Sequence, residues 1–217
     1  MNEARPVTMS QRMPQFVGLI AVTFSALYLL SDVFEALQGG FSDGQLWLTL
    51  LAEAAIPVIV IGLYRVQRPQ IGRLGRLSAV AYAYSYVYFT GTVIFALLNR
   101  ISDYGALSHD LAPWMTIHGA VMVLAGLGFG VAAFRAGVIP RWTCGALMAG
   151  VVLVALSQSM PEGPQVVAAA VRDLGFAGMG AALLRRTRRH TSTGSVVKHA
   201  WMPAPSSKPS RRSVHDL

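Results

Sequence analysis

Residues 166–184 form an apolar run that two adjacent charged residues interrupt, Arg172 and Asp173. At the centre of a bilayer each charge would cost about 2.5–3.5 kcal/mol on scales derived from membrane insertion. A helix with this cost does not stand alone in lipid, so its charged groups need partners on other helices. The feature therefore predicts a bundle in which several helices surround a polar site.

The composition is typical of a membrane protein. The chain is 53% hydrophobic and only 13% charged, which is about half the charged fraction of a soluble domain, and its mean hydropathy is +0.48. The single cysteine, Cys144, excludes an internal disulfide and any cysteine-based metal site. The first apolar run lacks a small-x-small cleavage pattern, so we interpret it as a retained helix rather than a signal peptide.

Six apolar segments have lengths that fit a bilayer, and turns rich in Gly and Pro separate them. They cover residues 16–37, 46–64, 77–98, 113–134, 142–159 and 165–184. The sequence thus predicts an all-α fold, a polytopic membrane bundle of six transmembrane helices over residues 16–184. Residues 1–15 form a cytoplasmic N-terminal segment, and residues 185–217, rich in Ser, Pro and basic residues, form a disordered basic cytoplasmic tail.

The basic residues favour one orientation of these segments. If both termini are cytoplasmic, all but two of the 18 Lys and Arg residues lie on the cytoplasmic side, as the positive-inside rule requires. The exceptions are Arg100 and Arg172. The pattern predicts a multi-pass protein of the bacterial cell membrane. The net charge of +8 then reflects orientation and attraction to anionic lipid, and not nucleic-acid binding.

Two short motifs resemble those of a known family. Glu53 lies in the second segment, which closes with Gly-Leu-Tyr at 62–64, and Ile-Pro-Arg-Trp at 139–142 leads into the fifth. On these motifs and on helix order, residues 15–184 resemble an uncharacterised bacterial family of six-helix integral membrane proteins, domain of unknown function 4386. The resemblance implies the architecture and carries no activity. The Tyr-dense third segment departs from the family pattern.

The membrane-embedded ionisable groups share one half of this predicted bundle. At 1.5 Å per residue, Glu53, Arg172 and Asp173 lie about 10–12 Å below the outer boundary, and Asp32 and His118 lie roughly 5–8 Å below it. Tyr84 and Tyr88 of the third segment share a helix face, where they either pack against neighbours or form an aromatic wall for a lipophilic ligand or a cation. The predicted ligand pocket therefore comprises Asp32, Glu53, Tyr84, Tyr88, His118, Arg172 and Asp173.

Charge pairing follows from the depth of these groups. Three unpaired charges there would cost on the order of 8–10 kcal/mol. Arg172 most simply neutralises Glu53 across helices, because Asp173 is its chain neighbour and points about 100° away. The remaining carboxyl meets His118, faces water or holds a proton. A carboxyl that holds a proton in an apolar site is a candidate proton donor, so Glu53 and Asp173 are the candidate catalytic residues.

Three functions stay open from the sequence, and we favour the first. It is the binding or transport of a small or lipophilic ligand in an outward-facing polar pocket, coupled to protons. The second is a membrane-embedded enzyme that acts on a lipophilic, isoprenoid-like substrate by acid catalysis. The third is a structural subunit whose buried charges only organise the helices.

The sequence also bears on cofactors and partners. We expect no cofactor and no metal, because His118 is the only histidine within a predicted span and no ligand spacing supports a site. The expected partners are membrane lipids and a lipophilic small molecule. Protein partners and the oligomeric state are not predicted.

Overall fold

The computed structural model describes residues 9–200, and the side chains of residues 12–161 and 163–187. Within those residues it contains seven helices and no strand, which confirms the all-α prediction. The helices are α1 Met9–Gln38, α2 Asp43–Val66, α3 Gly72–Asn99, α4 Tyr104–Asp110, α5 Trp114–Ala136, α6 Arg141–Ser157 and α7 Glu162–Ala200.

Five of these helices are long and apolar enough to cross a membrane. They are α1 over Arg12–Gln38, α2, α3, α5, and α7 over Gly163–Thr187. The fifth predicted segment, residues 142–159, corresponds to α6, which is apolar but has only 17 residues, a length of about 26 Å. Each predicted segment thus overlaps one helix of the described chain, five of the six helices are long enough to span a membrane, and only the short α4 was not predicted.

Two helices extend into the predicted terminal segments. α1 begins at Met9, within the predicted N-terminal segment, and α7 continues to Ala200, beyond the predicted end of the last span at residue 184. Residues 1–8 and 201–217, which complete the predicted cytoplasmic segments, lie outside the described residues.

Local chemistry sets the ends of the helices. The Ser42 hydroxyl caps α2 by accepting a hydrogen bond from the backbone N–H of Gln45, and Asp103 caps α4 in the same way. α3 ends at Arg100 in the left-handed conformation (φ 53°), and α5 ends at Gly137 (φ 65°), where glycine carries no Cβ penalty. Four connections between the main helices are short, residues 39–42, 67–71, 137–140 and 158–161, whereas the connection from α3 to α5 is longer and contains α4.

The six long helices form a closed ring. In chain order, α1, α2, α3, α5, α6 and α7 each pack against the next, and α7 packs against α1. The end of the ring at which α4 lies is called the α4 end below, and the opposite end, which carries most of the arginines, is called the basic end. The half of the ring nearer the basic end is filled by large buried side chains, among them Ile59, Leu63, Phe129, Leu147, Phe176 and Met179.

Close contacts between helices position α7. A Cβ atom built on Gly150 would overlap the backbone nitrogen of Arg172, and one on Gly18 would lie 2.8 Å from the carbonyl oxygen of Gly180. Only glycine permits these approaches of α7 to α6 and α1. Because the helix backbones are in contact at these points, the position of Arg172 along the axis of the ring is set by α6 and α1.

Candidate functional site

A partly open cavity of about 960 Å³ lies inside the ring at the α4 end. All seven helices contribute to its lining, and its volume is in the range of small-molecule sites, roughly 300–1,000 Å³. Small residues keep the space open: a Cβ atom built on Gly119 meets no atom within 4 Å. The cavity has a largely apolar wall and a charged floor, with Phe41, Leu46, Phe89, Val93, Met115 and Val123 in the wall and Asp32, Glu53 and Arg172 in the floor.

Tyr28 of α1 connects the two deepest charged groups of the floor. Its hydroxyl donates a 2.7 Å hydrogen bond to Glu53 Oε1, and the Cζ atom of Arg172 lies 4.2 Å from the centre of its ring. All three side chains are buried. Because the tyrosine lies between them, the direct Glu53–Arg172 pair that the sequence predicts does not form between these two described side chains, and that prediction is wrong.

The guanidinium of Arg172 instead contacts two aspartates. Its Nε donates to Asp173 Oδ1 at 3.0 Å, and its Nη2 lies 3.6 Å from Asp32 Oδ2 of α1. From the sequence alone, Asp173 is expected to point away from Arg172, because the Cα–Cβ bonds of neighbouring helix residues differ by about 100°. An arginine side chain is long enough to fold back toward a neighbour on its own helix, so the pair forms.

Glu53 keeps one acceptor without a partner. Although Glu53 Oε2 is buried, it has no hydrogen-bond partner among the described residues. Arg172 contacts the carboxyl groups of Asp32 and Asp173, whereas the Tyr28 ring separates it from Glu53. Asp32 and Glu53 line the cavity, whereas Asp173 lies behind Arg172 and does not. The floor is therefore acidic, and a donor or a cation in the cavity would satisfy it.

A second polar network holds α1 and α2 together nearer the mouth. The amide Nε2 of Gln45 lies 3.1 Å from Glu35 Oε2, 3.2 Å from Ser31 Oγ and 3.0 Å from Thr49 Oγ1. Sequence reasoning did not identify Gln45 or Thr49, although both line the cavity. The sequence feature that could have identified this network is the presence of two polar residues, Ser31 and Gln45, at the edges of apolar runs. The network fixes the α1–α2 spacing on which the Tyr28–Glu53 contact depends.

Three residues of the predicted pocket lie elsewhere. The Tyr88 ring stacks on the His118 ring with centroids 3.6 Å apart, and Tyr84 Oη lies 3.1 Å from His118 Nε2. His118 Nδ1 lies 2.9 Å from the carbonyl oxygen of Trp114, so Nδ1 carries the proton and Nε2 accepts from the tyrosine when the ring is neutral. None of Tyr84, Tyr88 and His118 lines the cavity, and Tyr84 is 56% exposed on the outside of the ring.

Helix geometry explains why these tyrosines are outside. Tyr82 and Tyr86 are four residues apart and point inward, both almost fully buried. Tyr84 lies two positions from each, about 200° around the helix. The inward tyrosine that reaches the cavity is therefore Tyr86, together with Tyr28 and Tyr104 from other helices.

Neither a metal-binding group among the described residues nor a similar known protein assigns a role to this cavity. Within the described part of the chain, no three or more His, Cys, Asp and Glu side chains form a group that could hold a metal ion. Comparisons of the chain with protein-family models, with curated proteins and with solved structures find no match. The family resemblance therefore stays a prediction. The proposed function rests on the geometry of the cavity.

Proposed function

We propose that this chain is a multi-pass cell-membrane protein that binds an amphipathic organic cation in the cavity at the α4 end. One observation carries the proposal: Glu53, with a buried oxygen that has no hydrogen-bond partner among the described residues, lies in the floor of a largely apolar cavity. A ligand with a positive group and an apolar body matches both features.

Charge favours a cation over a neutral ligand. When ionised, Asp32, Glu53 and Asp173 carry three negative charges against the single positive charge of Arg172, a formal balance of −2 from the contacts described. In a site of low dielectric constant this imbalance is costly, and a ligand cation reduces it. A proton competes with the cation for the same carboxyl groups, so binding is coupled to proton release.

Aromatic side chains support the same ligand class. Tyr28, Tyr86, Phe89 and Tyr104 line the cavity, and the faces of aromatic rings attract cations and pack against apolar groups. Tyr28 already holds the Arg172 guanidinium in this way. The ligand cation would lie between the carboxyl groups and these rings, with its apolar body toward the mouth.

The binding test uses tetraphenylphosphonium and tetraphenylborate, which have nearly the same shape and opposite charge. Detergent-purified protein should bind the phosphonium in equilibrium dialysis and not the borate. Glu53→Gln should weaken binding at least about tenfold, since the loss of one charge contact exceeds about 1.4 kcal/mol. Asp43→Asn removes an exposed carboxyl that is not in the cavity lining, and it should leave the affinity unchanged.

Three results would count against cation binding. They are equal affinity for both ions, no loss in Glu53→Gln, or an equal loss in Asp43→Asn. If the wild-type protein binds neither ion and Glu53→Gln disturbs assembly, a structural subunit is the better description.

The orientation in the membrane is part of the proposal. Six crossings, with both termini cytoplasmic, place the basic end inside and the cavity mouth outside. Its support is the set of arginines in and next to the α2–α3 and α5–α6 connections at the basic end, as the positive-inside rule requires. They are Arg65, Arg68, Arg73 and Arg76, and Arg135 and Arg141. α6 completes the ring between α5 and α7, so it lies beside the five longer helices.

Cysteine labelling tests this orientation in a Cys144→Ser background. Gln70→Cys, His109→Cys and Met160→Cys place a thiol at exposed positions of three connections. An impermeant maleimide should label positions 109 and 160 in intact cells, and position 70 only after permeabilisation. Labelling of position 70 in intact cells would reverse the orientation. Protection of position 160 alone would show that α6 does not cross.

A membrane-embedded enzyme that uses acid catalysis on an isoprenoid-like substrate is the second candidate. The observation that favours it is the Glu53 carboxyl beside Tyr28 in an aromatic-lined cavity, where a proton donor and a cation-stabilising wall would meet. Incubation with prenyl alcohols and prenyl diphosphates, followed by mass spectrometry, separates the two functions. A new product that disappears in Glu53→Gln supports the enzyme, and unchanged substrates support the binding protein.

A further inference from the structure

A second concave surface lies at the opposite end of the molecule, on the outside of the ring. It has a volume of about 860 Å³ and is formed by the start of α6, the middle of α7, the α5–α6 connection and Val22 of α1. We name it the basic-end groove. Its lining is Val22, residues 137–142, Leu174, Ala177, Gly178, Ala181, Ala182, Arg185 and Arg186.

The rim of the groove is positive and its floor is apolar. Arg141, Arg185 and Arg186 are exposed, and within the described residues no Asp or Glu belongs to the lining. Arg186 Nη1 donates to the carbonyl oxygen of Val138 at 3.2 Å, and the Arg141 guanidinium lies 5.2 Å from the centre of the Phe134 ring. These contacts hold two of the three guanidinium groups near the groove while leaving donors free on each.

The apolar floor continues from the arginines along α7. Leu174, Ala177, Ala181 and Arg185 follow each other at three- and four-residue spacing, so they form one stripe on the helix. The stripe from Leu174 to Arg185 is about 16 Å long. Its small side chains make a shallow channel, and Leu174 is 55% exposed at the far end.

Trp142 forms the wall of this channel. A Cβ atom built on Gly178 would lie 2.6 Å from the indole ring, so glycine at 178 lets the tryptophan pack directly on α7. The indole is nevertheless 57% exposed. Exposed tryptophans are typical of the interface between lipid headgroups and acyl chains, and this places the arginines at headgroup level.

We propose that the basic-end groove binds one anionic phospholipid, with its phosphodiester on Arg141, Arg185 and Arg186 and one acyl chain along the stripe from Leu174 to Ala181. Guanidinium groups bind phosphate oxygens in bidentate fashion, and basic pockets between helices at the membrane surface bind anionic headgroups. The three positive groups beside an apolar channel match this lipid in charge and in shape. The proposal does not depend on what the cavity at the α4 end binds.

Native mass spectrometry of the full-length protein in detergent tests the site. Titration with palmitoyl-oleoyl phosphatidylglycerol should give one tightly bound lipid, and phosphatidylcholine with the same chains should give none. The variant Arg141→Gln, Arg185→Gln, Arg186→Gln should lose about 10- to 100-fold in affinity. The matched control Arg65→Gln, Arg73→Gln, Arg76→Gln removes the same charge from exposed arginines near the basic end but outside the groove, and it should bind as the wild type does.

Two further arms separate the possible sources of the anion. Ala177→Leu fills the channel without changing charge, so it should weaken lipid binding several-fold, whereas it would not affect a free phosphate. Inorganic phosphate should not displace the lipid. Equal losses in both arginine variants would mean diffuse electrostatic attraction, and displacement by phosphate or normal binding in Ala177→Leu would mean an anion site without a lipid chain. Either result overturns the proposal.

Discussion

The hydroxyl of Tyr28 donates a 2.7 Å hydrogen bond to Glu53 Oε1, and this contact joins α1 to α2. The same ring carries the guanidinium of Arg172 on its face, which joins both helices to α7. A single tyrosine therefore connects three helices and separates the two charges that the sequence predicts as partners. Loss of this side chain should therefore disturb the contacts of both Glu53 and Arg172.

Tyr28→Phe leaves Glu53 without its hydrogen-bond donor, and we expect a loss of about 1–2 kcal/mol in the free energy of unfolding. This exceeds the mean of about 0.6 kcal/mol for polar contacts between membrane helices, because the acceptor is a buried carboxyl. Unfolding in mixed detergent measures the loss. In a double-mutant cycle with Glu53→Leu, which removes the acceptor, the coupling energy should exceed about 0.5 kcal/mol, and a coupling near zero would contradict the contact.

Within the described residues, Arg172→Met removes the only cation that contacts Asp173 and Asp32. Breaking a buried ion pair from one side costs about 3–5 kcal/mol, because a buried charge is left uncompensated. We expect the double variant Arg172→Met, Asp173→Leu to recover part of this loss in the same unfolding measurement. A double variant no more stable than the single one would show that the pair does not control stability.

Gly150→Ala and Gly145→Ala make the same change within α6 and should have opposite effects. A Cβ atom on Gly145 meets nothing within 4 Å, whereas one on Gly150 overlaps the backbone of Arg172. Alanine at 145 should stabilise the helix by up to about 1 kcal/mol, and alanine at 150 should destabilise the protein by about 1–3 kcal/mol. Thermal unfolding compares the two variants, and equal shifts would argue against the close approach of α6 and α7.

The cap of α4 should be sensitive to acid. The backbone N–H of Ala106 and the Ser102 hydroxyl lower the pKa of Asp103 from its ordinary value of 3.8. A lowered folded-state pKa means that the cap's contribution is fully present above pH 3.8 and is lost as pH falls through the folded-state value. Hydrogen exchange at the Ala106 amide should therefore lose protection in that range. Asp103→Asn keeps a capping oxygen that does not titrate, so its protection should not change with pH.

The sequence could predict the helices because their causes are local. Apolar runs near 20 residues and the turn residues between them are visible without knowledge of any contact, and the predicted segments coincide with α1, α2, α3, α5, α6 and α7. α4 was not predicted, since seven residues of mixed polarity carry no periodic signal. The gathering of Asp32, Glu53 and Arg172 in one half also followed from position along each helix alone.

The inward face of each helix depends on which neighbours it packs against. The tyrosines of α3 occur at every second position, so the pattern alone does not distinguish the buried pair Tyr82 and Tyr86 from Tyr84 and Tyr88. The ring closure decides it, because α3 packs between α2 and α5 and turns one face inward.

Taken by itself, the sequence determined that this chain is all-α, where its long helices lie, and that Arg172 must be paired. Only the tertiary structure decided the partners of Arg172, the position of Tyr28 between Arg172 and Glu53, and the separation of His118 from the cavity. The physical reason is the separation along the chain of the residues that interact. Helix formation and depth depend on residues a few positions apart, whereas partners are chosen by long side chains that meet across a closed ring of six helices.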